Sequence, residues 1–397
     1  MKKILIFSHA LELGGAERSL LGLLDAIDKT QYQVDLFLMR HEGEFVSFIP
    51  DGVSLLPEVP AYTVLARPMA DTLREGHLLL TGARLYGKIS AARYAKKHNH
   101  QESMVALEYS HKFTRKFMPV IQPDTKYDLA ISFLTPHYFV AEKVWAKKKL
   151  AWIHTDYTRI DVDVPSELVM WDKYDYIASI SDSVTESFLK VFPSLASKIV
   201  LIENILSKSL VCTDAVGEVS SEMPDDNTIH LLSIGRFSHA KNFDNVPDIC
   251  KRLIDTGLNV KWYLIGYGGD EELIRRKIAE VCMEDHVIIL GKKDNPYPYI
   301  AACDLYVQPS RYEGKCVAVR EVQMLCKPVV ITDYATSASQ LEDGVDGIII
   351  PMDNEGCANG IAALLRDPGK MTRLSDNCRQ RDYSNAQEIE KIYRLME

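Results

Sequence analysis

Short apolar runs recur along the chain, separated by longer stretches in which apolar and polar residues mix at helical spacing. In the first half the runs are Lys3–Ser8, Val34–Met39, Tyr127–Phe133, Leu150–Ile153, Tyr176–Ile180 and Lys198–Ile202. Most are continuously apolar rather than alternating, which suits parallel strands covered on both faces. Helical stretches fall between most of them. One starts at Leu13-Gly-Gly-Ala-Glu-Arg-Ser-Leu20 and runs to about Asp28, and another spans Ser181–Leu189 behind a Ser or Asp cap. The pattern predicts parallel β and α/β architecture.

Residues 212–228 break the alternation. They are polar, acidic and without period, so the linker is placed at 206–228. The alternation then restarts with Ile229–Ile234, Val260–Ile265, Val287–Leu290, Leu305–Gln308, Pro328–Thr332 and Gly347–Ile350. The expected organisation is an N-terminal Rossmann-like domain over 1–205, a linker, a second such domain over 229–380, and a C-terminal helix over 381–397 that packs back on the first domain. Two doubly wound halves leave a cleft, and ligands of such folds gather at the carboxyl ends of the strands.

The length of 397 residues suits two or three domains, and 47% hydrophobic with 25% charged residues is ordinary globular composition. Net charge is −9, which argues against a dedicated nucleic-acid binder. The charge is uneven: residues 62–126 hold 11 basic and 5 acidic residues. All eight cysteines lie in the second half and none forms C-x-x-C, so they read as small buried hydrophobes of a reducing compartment. No apolar stretch reaches the ~18 residues of a membrane span, and the start has no signal-peptide pattern. The expected location is the cytoplasm, with peripheral attachment to the inner face of the cytoplasmic membrane.

Two loops carry candidate chemistry. Gly235-Arg-Phe-Ser-His-Ala-Lys241 joins a strand to a helix. Arg236 and Lys241 near a helix start would suit a pyrophosphate, although alone they also fit a solvated surface pair. In Pro309-Ser-Arg-Tyr-Glu-Gly-Lys-Cys-Val-Ala-Val-Arg-Glu321, Glu313 and Glu321 stand eight apart. Carboxylates accept several hydroxyl donors, as sugars and ribose require. The N–H groups of Cys316, Val317 and Ala318 at the new helix start suit phosphate oxygens. A capping Glu and an exposed helix Glu are the plainer alternatives. Gly266-Tyr-Gly-Gly269 lacks the spacing of a dinucleotide fingerprint, and no metal-ligand spacing is apparent.

Taken together, these pieces resemble a family 4 glycosyltransferase of GT-B fold. The resemblance runs through Leu13-Gly-Gly-Ala-Glu-Arg18, Ala151-Trp-Ile-His154, Val200-Leu-Ile-Glu-Asn204, Gly235-Arg236 with Lys241, Ile265-Gly-Tyr-Gly-Gly269, the Glu313-x7-Glu321 pair and Lys327-Pro-Val-Val-Ile-Thr332. Order and spacing make it specific, and its flavour is that of bacterial enzymes of capsule, exopolysaccharide or lipopolysaccharide synthesis. It implies two Rossmann-like domains facing across a cleft. It implies a retaining, metal-independent hexosyltransferase with no cofactor, taking a nucleoside diphosphate sugar, UDP-sugar favoured. The acceptor would be a hydroxyl of a glycan or polyprenyl-linked glycan.

The resemblance also assigns roles. Arg236 and Lys241 hold the donor diphosphate, Glu313 meets the donor sugar and Glu321 the ribose. Gly14 and Gly15 allow close approach of donor and acceptor, His154 faces the transferred sugar, and Lys292 lies near the base. Gly266, Gly314, Lys315, Cys316, Val317 and Ala318 complete the donor set. Lys315-Cys316 departs from the family's usual Phe-Gly or Phe-Pro, which puts donor preference in question. A catalytically silent nucleotide-sugar-binding subunit and a sugar-nucleotide epimerase are the alternative readings.

Residues 84–97 interleave Arg84, Lys88, Arg93, Lys96 and Lys97 with Leu85, Tyr86, Ile89 and Tyr94. Such a helix suits an anionic membrane surface, and equally a solvated helix with one packed face.

Overall fold

The computed structural model describes residues 1–12, 14–98, 104–224 and 226–397. Leu13, which opens the first motif, and Asp225, in the expected linker, lie outside the described residues. The chain forms two compact units, Met1–Ile205 with Ala386–Glu397, and Leu206–Asn385.

The first unit holds a sheet of seven strands: β1 (Lys2–Ser8), β2 (Tyr32–Leu38), β3 (Val53–Leu55), β4 (Tyr127–Ser132), β5 (Ala146–Ile153), β6 (Tyr176–Ser179) and β7 (Ile199–Leu201). Their order is β3-β2-β1-β4-β5-β6-β7, every pair parallel. The second unit holds β8 (Ile229–Ile234), β9 (Val260–Ile265), β10 (Val287–Gly291), β11 (Leu305–Gln308), β12 (Val329–Thr332) and β13 (Ile348–Ile350), in the parallel order β10-β9-β8-β11-β12-β13. Each sheet is therefore doubly wound. Its order reverses between β1 and β4 in the first unit and between β8 and β11 in the second. The continuously apolar runs are buried on both faces: Ile4–Phe7, Leu129–Ile131, Leu305–Val307 and Val329–Ile331 have no appreciable exposure.

The short edge strand β3 carries no strong apolar signal, and the sequence reading passes over it. Lys147, Lys148 and Lys149 belong to β5 itself, where Lys147 pairs with Asp128 at 2.7 Å and Lys148 with Asp175 at 3.6 Å. The basic run thus caps neighbouring acids on the sheet rather than forming a separate surface.

The expected linker is corrected. Residues 206–228 belong to the second unit, include a helix at Lys208–Asp214, and bury Leu206, Val211 and Met223 in that unit's core. Three scattered apolar anchors without period suffice to pack the segment. The tail also leaves the second unit later than expected, at 385/386. It forms a 3-10 turn at Ala386–Glu388 and a helix at Ile389–Arg394. Tyr393 stacks on Tyr32 with centroids 4.4 Å apart, and its hydroxyl accepts from the Asp28 N–H at 2.8 Å.

Five cysteines are buried, whereas Cys212 and Cys282 are exposed and Cys326 is intermediate, so burial holds for most of the set and fails for those. Among the described residues, no helix is long and apolar enough to cross a membrane.

Candidate functional site

The reversal of strand order in the second sheet opens a crevice at the carboxyl ends of β8 and β11. The two loops singled out in the sequence leave the sheet at those strands. Gly235–Lys241 follows β8, and Pro309–Cys316 follows β11.

Side chains staple these loops together. Lys241 Nζ donates to Glu313 Oε1 at 2.5 Å, and Ser310 Oγ donates to the same oxygen at 2.6 Å. The Arg311 guanidinium takes both oxygens of Asp244 at 2.8 and 2.9 Å, and its backbone N–H donates to the Ala240 carbonyl at 2.8 Å. Asn242, in the left-handed region at φ 60°, donates through Nδ2 to the Pro309 carbonyl at 2.8 Å. Thr336 donates to the Glu313 carbonyl at 2.8 Å.

The loop after β9 supplies the floor. A Cβ at Gly266, where φ is +151°, would stand 1.9 Å from the Gly235 carbonyl oxygen. One at Gly268, φ +156°, would stand 2.3 Å from that of Phe237. Only glycine lets the strand-end loops close to this distance. The structure thus gives Gly266 a packing role in shaping the Arg236 loop. Beside it, the exposed Lys292 reaches over the Tyr267 ring, 5.8 Å from its centroid.

The charges at this site are unequal. Arg236 is exposed, and among the described residues its guanidinium has no hydrogen-bond or ion-pair partner. Lys241 is mostly buried. Burial opposes its charge, but the Cys316 sulfur and the Glu313 carboxylate outweigh it, and its pKa moves upward. Burial pushes the Cys316 thiol up to about 11, against the pull of Lys241, so the thiol is uncharged at neutral pH. Glu313 is therefore the charge that balances Lys241.

The Val317–Met324 helix starts at this point, with Cys316 as its N-cap. The Cys316 N–H already donates to Gln340 Oε1 at 2.7 Å, and Gln340 Nε2 donates to the Cys316 carbonyl at 3.2 Å. Cys316 is thus withdrawn from the expected set of phosphate-holding amides. Val317 and Ala318 keep first-turn N–H groups of the kind a helix leaves without internal partners. Gly314 and Lys315 lie in the loop just before this helix start.

Glu321, expected to meet the ribose, lies on the Val317–Met324 helix. It is fully buried, and Tyr297 donates to its carboxylate at 2.9 Å. With no exposed surface, it presents neither oxygen to solvent.

In the first unit, His154 follows β5. Its Nε2 lies 3.1 Å from the Phe133 carbonyl, and its ring packs on Phe133 with centroids 4.8 Å apart. Burial, partly countered by the Phe133 carbonyl, lowers its pKa to about 4. A neutral ring that donates through Nε2 leaves Nδ1 as an acceptor. Gly14 is the extended N-cap of the Gly15–Ala26 helix, where the atoms nearest to an added Cβ are the movable end of Glu17. Local backbone geometry does not demand glycine there, and Gly15 is exposed.

Asn242, Asp244, Ser310, Arg311, Thr336 and Gln340 escaped the sequence reading. The ordered polar run from Ser310 to Glu313 was the available signal for two of them. Gln340 and Thr336 are reached only through tertiary contact. Among the described residues, no group of three or more His, Cys, Asp or Glu side chains is placed to hold a metal ion.

Residues 219–381 match the family model described as "Glycosyl transferases group 1". The chain is 26% identical over 201 residues to a Campylobacter jejuni N-acetylgalactosamine-N,N'-diacetylbacillosaminyl-diphospho-undecaprenol 4-alpha-N-acetylgalactosaminyltransferase, covering 50% of this chain and 53% of the relative. It is 26% identical over 163 residues to the lipopolysaccharide core biosynthesis glycosyltransferase LpsE of Rhizobium meliloti, covering 41% and 46%. The chain therefore spans about half the length of these curated relatives. The Anabaena protein Alr3699/HepE, solved in complex with UDP-glucose, superposes with a TM-score of 0.65 at 18% identity, covering 99% of this chain and 100% of that one. Sucrose-phosphate synthase of Thermosynechococcus elongatus superposes with a TM-score of 0.65 at 16% identity, covering 100% and 99%. Residues 219–381 thus belong to the group 1 glycosyl transferases, within a chain of GT-B fold.

Proposed function

We propose that the chain is a retaining glycosyltransferase. It moves a sugar from a nucleoside diphosphate sugar, UDP-sugar favoured, to a hydroxyl of a glycan or lipid-linked glycan in surface polysaccharide biosynthesis. The observation that carries this reading is an exposed Arg236, without a side-chain partner among the described residues, on the same loop as the Lys241 of a buried Lys241–Glu313 pair beside the start of the Val317–Met324 helix. That cluster lies in the segment matched to the group 1 family. The UDP-glucose bound to the Anabaena protein and the lipid-linked acceptor in the Campylobacter enzyme's name support the donor and acceptor classes.

In this reading Arg236, Lys241 and the Val317 and Ala318 N–H groups are aimed at the negative charge that grows on the leaving diphosphate. The anomeric C–O bond breaks as the acceptor oxygen bonds to the same carbon, on the same face. The acceptor proton passes to a leaving phosphate oxygen. Protein cations then do what a metal does elsewhere, so transfer proceeds without one. Glu313 holds Lys241 charged before donor arrives and accepts from donor sugar hydroxyls once it is bound. Glu321 accepts from the ribose through acceptor capacity left beside the Tyr297 hydroxyl. Nδ1 of His154 accepts from a hydroxyl of the transferred sugar. A lipid-linked acceptor implies work at the inner face of the cytoplasmic membrane.

The test is a thermal-shift screen across UDP-, GDP-, ADP- and CMP-sugars, since a ligand of the folded state raises the melting temperature. One nucleotide class is expected to shift the wild type and to lose that effect in Arg236→Ala. No shift with any of them sinks the reading. Transfer in the presence of EDTA tests metal independence.

A further inference from the structure

The Leu78–His98 helix is apolar on two faces. Its inward face is narrow. Leu80, Gly87 and Ala91 are buried, and a Cβ at Gly87 would stand 2.9 Å from the Tyr109 carbonyl oxygen, so the Val105–Thr114 helix lies directly against it. At about 100° per residue, Leu78, Leu85, Tyr86 and Ile89 fall on the opposite side. They are 64%, 49%, 56% and 43% exposed, and Leu79 beside them is 67% exposed. Further along the same outward stripe stand Arg93, Lys96 and Lys97, all exposed. The stripe is thus apolar in its first half and cationic toward its end.

Arg84 is not part of it. Its guanidinium turns inward to the Val64 and Arg67 carbonyls, which corrects its expected place on a membrane-facing surface. Beside the start of the stripe lies a groove of about 500 Å³, walled by Leu78, Tyr86 and Phe117 and edged by Lys112 and Lys116. Among the described residues, Lys88, Arg93, Lys96, Lys97 and Lys116 have no ion-pair partner. Residues 62–126 are a basic region in a chain of net charge −9.

A soluble surface rarely exposes so many large apolar side chains in one patch. Cations that ring such a patch without acidic partners complement an interface that is apolar within and anionic at its rim. We propose that the outward face of the Leu78–His98 helix docks on an anionic phospholipid bilayer. Leu78, Leu79 and Tyr86 enter the acyl boundary while Arg93, Lys96 and Lys97 meet the phosphates. The inference rests on the lipid-linked acceptor only for its biological use.

The full chain is floated with vesicles of phosphatidylcholine alone and of phosphatidylcholine mixed with phosphatidylglycerol. Binding is expected only to the second. Leu78→Glu with Leu79→Glu, and separately Lys96→Glu with Lys97→Glu, are each expected to lower it about tenfold, with unchanged melting temperatures. A Tyr86→Trp reporter is expected to blue-shift on the anionic vesicles. Absence of wild-type binding overturns the proposal. So does undiminished binding by the leucine variant, or a lipid-free dimer that this variant dissociates, which would make the face a contact between copies. Sugar-nucleotide thermal shifts are read alongside: their absence in the wild type would sink the donor reading and leave vesicle binding untouched.

Discussion

The two sheets share a strand order, yet the carboxyl ends of their strands are furnished in opposite ways. In the first unit, His137 and His154 follow β4 and β5 and, with His111 on the Val105–Thr114 helix, are kept neutral. Burial, with small like-charge contributions from His154 and His111, drives His137 to about 3. Burial, with His9 and Arg84, drives His111 to about 3, and His154 stands at about 4. In the second unit the strand ends carry charge: a free guanidinium and an ammonium locked to a carboxylate. The same topology thus supports one surface that hydrogen-bonds without charge and another organised around cations.

The comparison breaks most sharply at Lys241. Lys241→Ala is expected to lower kcat by about a thousandfold. Leaving Glu313 unpaired in a largely buried site is expected to cost about 3 kcal/mol in urea unfolding. The Lys241→Met, Glu313→Gln double variant should recover much of that stability and none of the activity. Arg236→Ala separates the two effects. Its guanidinium is exposed and has no hydrogen-bond or ion-pair partner among the described residues, so stability should change by less than about 0.5 kcal/mol, while kcat/KM falls about a hundredfold. Equal losses of stability in both single variants would refute the contrast between a free and a locked cation.

Gly266→Ala tests the floor. It should destabilise the second unit by about 2 kcal/mol, visible as a lower melting temperature. A wild-type value would mean that the loop can retreat from Gly235.

The effect in the first unit depends on pH. Each lowered histidine binds its proton in the unfolded chain near the ordinary value of 6.5 and in the folded chain only at about 3–4. Stability is therefore full above 6.5 and falls as pH drops toward 4, by about 1.4 kcal/mol per pH unit for each such group. His137→Gln should flatten the denaturation slope between pH 6 and 4.5 by about that amount. An unchanged slope would show that His137 charges freely in the folded state.

The strands were legible because a strand covered on both faces needs an unbroken apolar run, and nearly all such runs in this chain are strands. The edge strand β3 was not, since a half-buried Val-Ser-Leu has nothing to distinguish it from a loop. Arg236, Lys241 and Glu313 were legible as chemistry at strand ends. Their pairing was not, because Lys241 and Glu313 are 72 residues apart. The linker reading failed because Leu206, Val211 and Met223 bury themselves without any local period.

By itself, the sequence determined the alternation of strands and helices, the doubly wound class and the two loops that bear charge. These follow from side-chain polarity and from the short range of backbone hydrogen bonding. Tertiary structure alone decided that Glu321 is sealed beneath Tyr297, that Gln340 occupies the Cys316 amide, and that Arg84 faces inward while its neighbouring leucines do not. Each of these depends on which distant atom arrives within hydrogen-bonding or packing distance, and only the folded chain fixes that.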